Sequence, residues 1–220
     1  MIIEVAHPFN KGKKYFEDEE SKAKYRRIVS GFAWPGGKPG VIVVVAEDLN
    51  EDLSLNVHNL RVLAEAEDSN VEELLRKCVE FRKHYRVEGF YGDANNKPMM
   101  SFLRQFNENL SQKDVQSLWL QNAPFVDDIK AFEFYVHTIK NHLNPDKKTL
   151  HFFEGSRLSG YLMELPPEEV KSAGVSDYPS IAALGYAISY LDTYGPSKIN
   201  YPRDLGRKLA RSYGMGSLGK

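Results

Sequence analysis

The sequence contains a single cysteine, Cys78, among 220 residues. One cysteine excludes an internal disulfide framework and a cysteine-rich zinc site. It is also typical of chains from a reducing compartment, so we expect a cytosolic location. Because Cys78 falls within a helical pattern, we expect it to be a small core residue.

Long apolar runs and a strong net charge are also missing. No stretch approaches the roughly 20 apolar residues of a membrane-spanning helix, and the first residues turn charged too soon for a secretory signal. The formal net charge is −1, so binding to nucleic acid would need local basic patches. The sequence also lacks an internal repeat and a GxxxxGK[ST] phosphate loop, which excludes a P-loop ATPase within this chain.

Composition divides the chain into three parts. Residues 1–24 begin with a short apolar stretch and continue with residues of mixed charge, which predicts a solvated arm or a linker. Residues 197–220 are rich in lysine and arginine, which predicts a basic, fraying tail. Residues 25–196 carry the periodic patterns of one domain, long enough to bury a core.

The first half of this domain reads as a sheet with one helix. Three apolar runs, YRRIVSGFAW, VIVVVAEDL and HNLRVLAEAE, are separated by short breaks and predict an antiparallel meander. A helix follows, with Ser69 and Glu72 predicted to form its capping box. The next run, VEGFYGD, predicts a fourth strand that pairs in parallel, because a helix separates it from the meander. Helices and short strands alternate beyond it.

Two aspartates lie where predicted elements begin or end. Asp93 follows Gly92 at the exit of the fourth strand, a position where aspartate also serves as a turn residue. Asp177 precedes the helix that begins near Pro179, where aspartate is also a common cap. A site role and a purely local role therefore both stay open for each residue.

The predicted order is β-β-β-α-β followed by alternating helices and strands. This is the order of the ribonuclease H-like fold, an α/β class with a mixed sheet and helices on both faces. Within it, the segments VEGFYGDANNKPMMSFLRQF, SRLSGYLMELP and SDYPSIAALGYAISYL resemble the nuclease domain of phage terminase large subunits. The resemblance extends from about Tyr25 to Tyr194.

The resemblance implies a metal-dependent DNA endonuclease for viral DNA packaging. Such an enzyme acts on double-stranded DNA with other packaging-motor components, in the cytoplasm of a bacterial host that carries the phage or prophage. Two Mg²⁺ or Mn²⁺ ions about 3.5–4 Å apart activate water and stabilise the leaving oxygen, and Mg²⁺ prefers oxygen ligands. The resemblance assigns the catalytic and metal-ligand roles to Asp93 and Asp177.

The resemblance fails at the first strand. The family carries an aspartate there, after a glycine and an apolar residue, but SGFAWPGG places Ala33 at that position. Glu47 and Asp48 are the candidate substitutes, although an antiparallel second strand would hold them far from Ala33. In an alternative assignment of the strands, VIVVVAED would be the first strand and Asp48 the first catalytic residue.

The missing carboxylate leaves a rival function open. The rival is a catalytically inactive ribonuclease H-fold protein that binds DNA or serves in assembly, and a third class is an α/β protein with some other partner.

Candidate contacts to DNA are Lys97, Arg207, Lys208 and Arg211. The two tryptophans, Trp34 and Trp119, are expected in the core. The six histidines show no metal-binding spacing and are expected to be structural or solvated: His7, His58, His84, His137, His142 and His151.

Overall fold

The structure is a computed structural model that describes residues 1–8, 10–54, 58–112, 115–123, 129–164 and 173–194. Within these ranges, strands and helices follow one another in an order close to the predicted one. The elements are β1 (Ile2–Ala6), β2 (Lys14–Asp18), β3 (Lys24–Ala33), β4 (Gly40–Leu49), β5 (Leu60–Asp68), α1 (Val71–Tyr85), β6 (Gly89–Gly92), α2 (Lys97–Ser111), β7 (Leu120–Asn122), α3 (Ile129–Leu143), β8 (Leu150–His151), α4 (Leu158–Glu164) and α5 (Pro179–Tyr194).

The meander of β3, β4 and β5 forms the centre of the sheet. β3 pairs antiparallel with β4, so that Ala33 lies opposite Val41 and Arg27 opposite Glu47. β5 pairs antiparallel with the other edge of β4. The first eight residues of β4 are buried, as expected of an apolar strand covered on both faces.

Three parallel pairings complete the predicted fold class. β6 runs parallel to β3, with Gly92 opposite Phe32. β7 runs parallel to β6, and β8 runs parallel to β5. The mixed sheet and its strand order confirm the ribonuclease H-like class predicted from the sequence.

The first 24 residues differ from the predicted solvated arm. β1 and β2 form an antiparallel hairpin, and β2 extends the sheet by pairing with the start of β3. Ile2 and Phe16 are buried, at 1% and 6% exposure. The physical reason is that these apolar side chains cover the end of the core formed with Tyr25 and Ile28.

Helices cover both faces of the sheet. α1 and α2 pack over the face that presents Ile28 and Phe32, whereas α3, α4 and α5 pack over the face that presents Val29 and Ala33. Cys78 on α1 is fully buried, which agrees with its predicted core role. None of the helices within the described ranges has the length and apolar character needed to span a bilayer.

Two local expectations are wrong. The cap of α1 is Asn70, whose side chain accepts hydrogen bonds from the backbone N–H groups of Glu72 and Glu73; the predicted cap was Ser69. Trp119 is 73% exposed because it lies beside the short edge strand β7 rather than within the core. Trp34 is partly buried, and its indole packs edge-on against Phe32 at 4.5 Å between ring centroids.

α5 approaches the sheet more closely than a side chain would allow. A methyl group on Gly31 would lie 1.6 Å from the carbonyl oxygen of Ala183. On the opposite side of the helix, a methyl group on Gly185 would lie 2.5 Å from Cβ of Tyr135. The two glycines therefore set how deeply α5 lies between β3 and α3.

We expect Gly31→Ala to destabilise the fold by about 3 kcal/mol or more, the upper part of the range for overpacking, because the clash involves backbone rather than a movable side chain. Urea unfolding measures this loss. Gly36→Ala is the matched control, since a methyl group there meets nothing within 4 Å. Equal stability of the two variants would contradict the close approach of α5.

Candidate functional site

The carboxyl ends of β3 and β6 lie side by side. Gly92 is registered with Phe32, so Ala33 and Asp93 follow at the same edge of the sheet. Ala33 and Tyr91 belong to the core beneath α5. Since alternate residues of a strand share a face, position 93 continues the face of Tyr91. Asp93 is 8% exposed.

The Asp93 carboxylate is held by a turn. Its Oδ1 accepts a hydrogen bond from the backbone N–H of Asn95 at 2.8 Å, and its backbone oxygen accepts one from Nε1 of Trp34 at 2.8 Å. The next residue, Ala94, donates its N–H to Oδ1 of Asn122 on β7 at 2.9 Å. Among the described residues, no donor reaches Oδ2 of Asp93, so this oxygen can accept a further partner.

Asp177 lies just before α5 and is exposed. Its Oδ2 accepts a hydrogen bond from the backbone N–H of Gly174 at 2.8 Å, and its backbone oxygen accepts one from Nζ of Lys38. Lys38 belongs to the hairpin between β3 and β4. The start of α5 therefore lies at the same end of the sheet as Ala33 and Asp93.

A further carboxylate, Glu67, lines the cavity that contains Asp177 and Lys38. It lies near the end of β5 and accepts a hydrogen bond from Nη1 of Arg157 at 2.6 Å. The sequence reasoning did not select Glu67, although β5 runs antiparallel to β4 and so ends beside the hairpin. The acidic end of that strand, EAED, was the available signal.

The two proposed substitutes, Glu47 and Asp48, lie at the other end of β4. Glu47 is opposite Arg27 and Asp48 is opposite Tyr25, whereas Ala33 is opposite Val41. Asp48 pairs with Arg61 at 2.8 Å. The structure therefore does not bring either substitute to Ala33, Asp93 and Asp177.

The predicted DNA contacts divide between described and undescribed parts of the chain. Lys97 is the first residue of α2, directly after the cap Asn96, and it is exposed. It lies four residues beyond Asp93 at the same loop. The other three, Arg207, Lys208 and Arg211, lie outside the described residues.

A buried polar network, absent from the sequence predictions, joins β3, β4 and α5. Glu47, which is fully buried, accepts a hydrogen bond from Nε of Arg27 at 3.2 Å and contacts Nδ1 of His58 at 2.9 Å. Nη2 of Arg27 donates to the backbone oxygen of Leu191 at 3.1 Å. Arg27 therefore links the last turn of α5 to the sheet.

The network continues to the ends of two helices. Nε2 of His58 lies 2.9 Å from Oδ1 of Asp192 on α5. Nε2 of His142, near the end of α3, lies 3.1 Å from the same oxygen and 3.2 Å from Oδ2. Nδ1 of His142 contacts Oγ1 of Thr149 at 2.8 Å. We name His58, His142, Asp192, Glu47 and Thr149 the histidine cluster.

Opposing effects set the pKa of the buried groups in this cluster. Burial alone lowers the pKa of His58, but its hydrogen bonds to Asp192 and Glu47 and their negative charges raise it to about 9. Burial alone raises the pKa of Glu47, but the hydrogen bond from His58 and the charges of Arg27 and Arg26 lower it overall. Without a bound cation, His58 is therefore an imidazolium between two carboxylates at neutral pH.

The histidine cluster escapes sequence reasoning because its members are far apart in the chain. His58 and Asp192 are 134 positions apart, and His142 and Asp192 are 50 apart. The expectation of structural histidines is consistent with their burial, but the convergence of two of them on one carboxylate was not predicted. Only the packing of α3 and α5 on the sheet brings them together.

Comparison with known proteins gives structural likenesses only. No protein family and no curated protein matches the chain. A large terminase from a thermophilic bacteriophage is similar, with a TM-score of 0.44 and 11% identity over 78% of this chain and 40% of that one. The large terminase nuclease domain of bacteriophage SPP1, solved with bound Mn, has a TM-score of 0.47 and 12% identity over 76% of this chain and 87% of that one.

Thermus thermophilus RuvC has a TM-score of 0.35 and 14% identity, over 74% of this chain and 92% of that one. All three TM-scores lie below 0.5, so the fold assignment rests on the strand order described above. This chain spans 40% of the length of the terminase from the thermophilic bacteriophage.

We expect the metal-free protein to lose stability as pH rises from about 6.5 to 9. The pKa of His58 is about 9 in the folded state against 6.5 ordinarily, so its contribution is complete below pH 6.5 and is lost through pH 9. The size of the effect is up to about 3 kcal/mol. Urea unfolding in EDTA across this range measures it.

His58→Gln should have a shallower pH dependence between pH 6.5 and 9 than the wild type, whatever its absolute stability. His137→Gln is the control, because His137 is exposed on α3. The comparison cancels the contributions of Cys78 and the tyrosines, which are common to all three proteins. Identical slopes for wild type and His58→Gln would refute the imidazolium assignment.

Proposed function

We propose that this chain is a nuclease-type domain of the phage terminase class, acting on double-stranded DNA during packaging in a bacterial host. Asp93 and Asp177 are its proposed catalytic carboxylates and metal ligands. The observation that carries this proposal is the parallel pairing of β3 and β6. It brings Ala33 and Asp93 to one edge of the sheet, where α5 also begins.

These two carboxylates would hold one hydrated Mg²⁺ or Mn²⁺ ion rather than two. Oδ2 of Asp93 is available, and Asp177 is exposed, but Ala33 offers no ligand at the position of the first family carboxylate. Fewer anionic ligands weaken the binding of a hard cation that gives up its water reluctantly. When bound, such an ion supplies an activated water for phosphodiester cleavage.

The protein's own residues have distinct proposed roles around this edge. The Asn95 N–H orients the Asp93 carboxylate by holding Oδ1. Lys97, exposed at the start of α2, is placed to contact a DNA phosphate, and Arg207, Lys208 and Arg211 would add basic contacts. The chain carries no phosphate loop, so ATP hydrolysis would come from another part of the packaging motor.

A second candidate function is DNA binding or assembly without cleavage. The observation that favours it is the burial of Ala33, which is 7% exposed within the apolar core under α5. An apolar contact at this position removes a ligand and places core residues close to the proposed site. The two candidates predict the same dependence of DNA binding on salt and different nicking activity.

The first test measures DNA binding and nicking with one protein preparation. We expect affinity for plasmid DNA to fall as salt rises, because phosphate contacts release counterions. With Mn²⁺, nicking should be weak and should disappear in Asp93→Asn. Lys13→Gln serves as the surface control, since Lys13 is exposed in the turn before β2.

Binding without nicking in any variant would support the second candidate. Absence of salt-dependent DNA binding would refute the first candidate and the DNA-binding form of the second. Robust nicking that Asp48→Asn abolishes and Asp93→Asn leaves intact would move the site to the other end of β4.

The second test restores the missing carboxylate. Ala33→Asp introduces a buried charge, which is costly unless a cation neutralises it. We therefore expect this variant to be less stable than the wild type in EDTA and to regain stability as Mn²⁺ is added, by binding linkage. Thermal unfolding at several Mn²⁺ concentrations measures the recovery.

Ala33→Asn is the matched control for this test, because it has nearly the same shape without the charge. Its melting temperature should depend on Mn²⁺ no more than that of the wild type. If Ala33→Asp shows no greater metal dependence than Ala33→Asn, Ala33 does not lie at a metal position.

A further inference from the structure

The geometry points to a second metal site, in which His58, His142 and Asp192 bind a zinc ion at the opposite end of the sheet from Asp93. Among the described residues, these are the one set of three histidine, cysteine or acidic side chains whose ligand atoms lie within 4.8 Å of one another. All three residues are buried. The inference is independent of the proposed nuclease function.

The ligand nitrogens of the two histidines converge on the Asp192 carboxylate. Nε2 of His58 and Nε2 of His142 approach Oδ1 of Asp192 to 2.9 and 3.1 Å, and Oδ2 of Asp192 lies 3.2 Å from His142. Tetrahedral zinc with bonds of about 2.0–2.2 Å separates its ligand atoms by about 3.3–3.6 Å. The histidine–aspartate separations would therefore need to lengthen by a few tenths of an ångström to admit the ion, and the two imidazole nitrogens already lie within 4.8 Å of one another. The ligands would be these two nitrogens and one or both oxygens of Asp192.

The outer nitrogen of each histidine contacts a side-chain oxygen. Nδ1 of His58 lies 2.9 Å from Glu47, and Nδ1 of His142 lies 2.8 Å from Thr149. Metal-binding histidines usually donate their outer N–H to such an oxygen, which fixes the ring and directs the other nitrogen at the ion. Both histidines of the cluster have this arrangement.

The types of side chain in the cluster also suit a cation. Asp192 is the carboxylate whose oxygens contact both imidazoles, whereas Glu47 contacts His58 and lies 3.2 and 3.6 Å from Arg27 and Arg26. Imidazole nitrogens and a carboxylate suit zinc among the common divalent metals. The fully buried Cys78 lies under the opposite face of the sheet, so the site contains no sulfur from the described residues.

Two unsatisfied hydroxyl groups lie one helical turn from the ligands. Oγ1 of Thr138 and Oγ of Ser189 are buried without hydrogen-bond partners. Thr138 precedes His142 by four residues on α3, and Ser189 precedes Asp192 by three on α5, so each shares a helix face with its ligand. Each hydroxyl group is therefore buried on the helix face that carries a ligand, one turn away from it.

The proposed ion would join three separate elements. His58 precedes β5, His142 lies in the last turn of α3, and Asp192 lies in the last turn of α5. Its role is therefore structural: it would fix the ends of two helices to the sheet. We expect the melting temperature to rise with free Zn²⁺, because the ion binds the folded state in preference to the unfolded one.

The test uses the full chain, stripped of metal with a chelator and titrated with Zn²⁺ alone. Calorimetry should show one tightly bound equivalent per chain, and Co²⁺ in place of Zn²⁺ should give the intense visible absorption of a tetrahedral site. Asp192→Asn and His142→Gln should abolish both signals. Thr149→Val should weaken zinc binding about tenfold, as loss of an outer partner does.

His137→Gln is the matched control, because it removes an exposed histidine from the same helix and should leave the one equivalent intact. Asp93→Asn should also retain it, which separates this site from the proposed nuclease site. Should a ligand variant fail to fold, X-ray absorption at the zinc edge of the wild type decides instead. Two imidazole rings in the inner shell support the proposal. Failure to bind zinc, or a shell without imidazole, would overturn it.

Discussion

The close contact between α5 and β3 is the constraint on which both proposed sites depend. Gly31 lets the backbone of the helix reach the sheet, and Gly185 lets Tyr135 pack against its other side. Residues 181–189 of α5 are all buried, so the helix has little freedom to slide or rotate. Its first turn then fixes the position of Asp177, and its last turn fixes that of Asp192.

The two ends of α5 have opposite electrostatic surroundings. Its start lies beside the exposed Asp177, Lys38 and Glu67. Its end is enclosed, and Arg27 donates to the Leu191 carbonyl there, a favourable position for a cation at a helix C-terminus. Buried ion pairs are weak evidence for stability, since desolvation offsets attraction. Their clearer effect here is to determine where the last turn of α5 lies on the sheet.

The sequence predicts this fold well where a pattern is local and repeated. The apolar run of β4 and the helix between β5 and β6 specify the meander and the parallel fourth strand. The β1–β2 hairpin was missed because each strand has only five residues and three of those in β2 are charged; the pairing of β2 with β3 reveals it. The predicted Ser69 cap was wrong because Asn70, one position later, supplies the side-chain oxygen that accepts the capping hydrogen bonds.

The sites were less predictable than the fold. Asp93 could be selected because a carboxylate at a strand end is visible in the sequence, but Glu67 required the register of β5 against β4. The histidine cluster required the packing of α3 and α5, since its ligands come from elements separated by most of the chain. Long-range packing of this kind leaves no periodic signal in one sequence.

Because Cys78 is buried, the reactivity of its thiol reports when α1 separates from the sheet. The thiol is fully enclosed under α1, and burial raises its pKa well above the ordinary value. Thiolate is the reactive form, so a thiol reagent cannot modify the closed state at an appreciable rate. Labelling of this single thiol therefore records how often α1 lifts from the sheet, and it needs no engineered probe to do so.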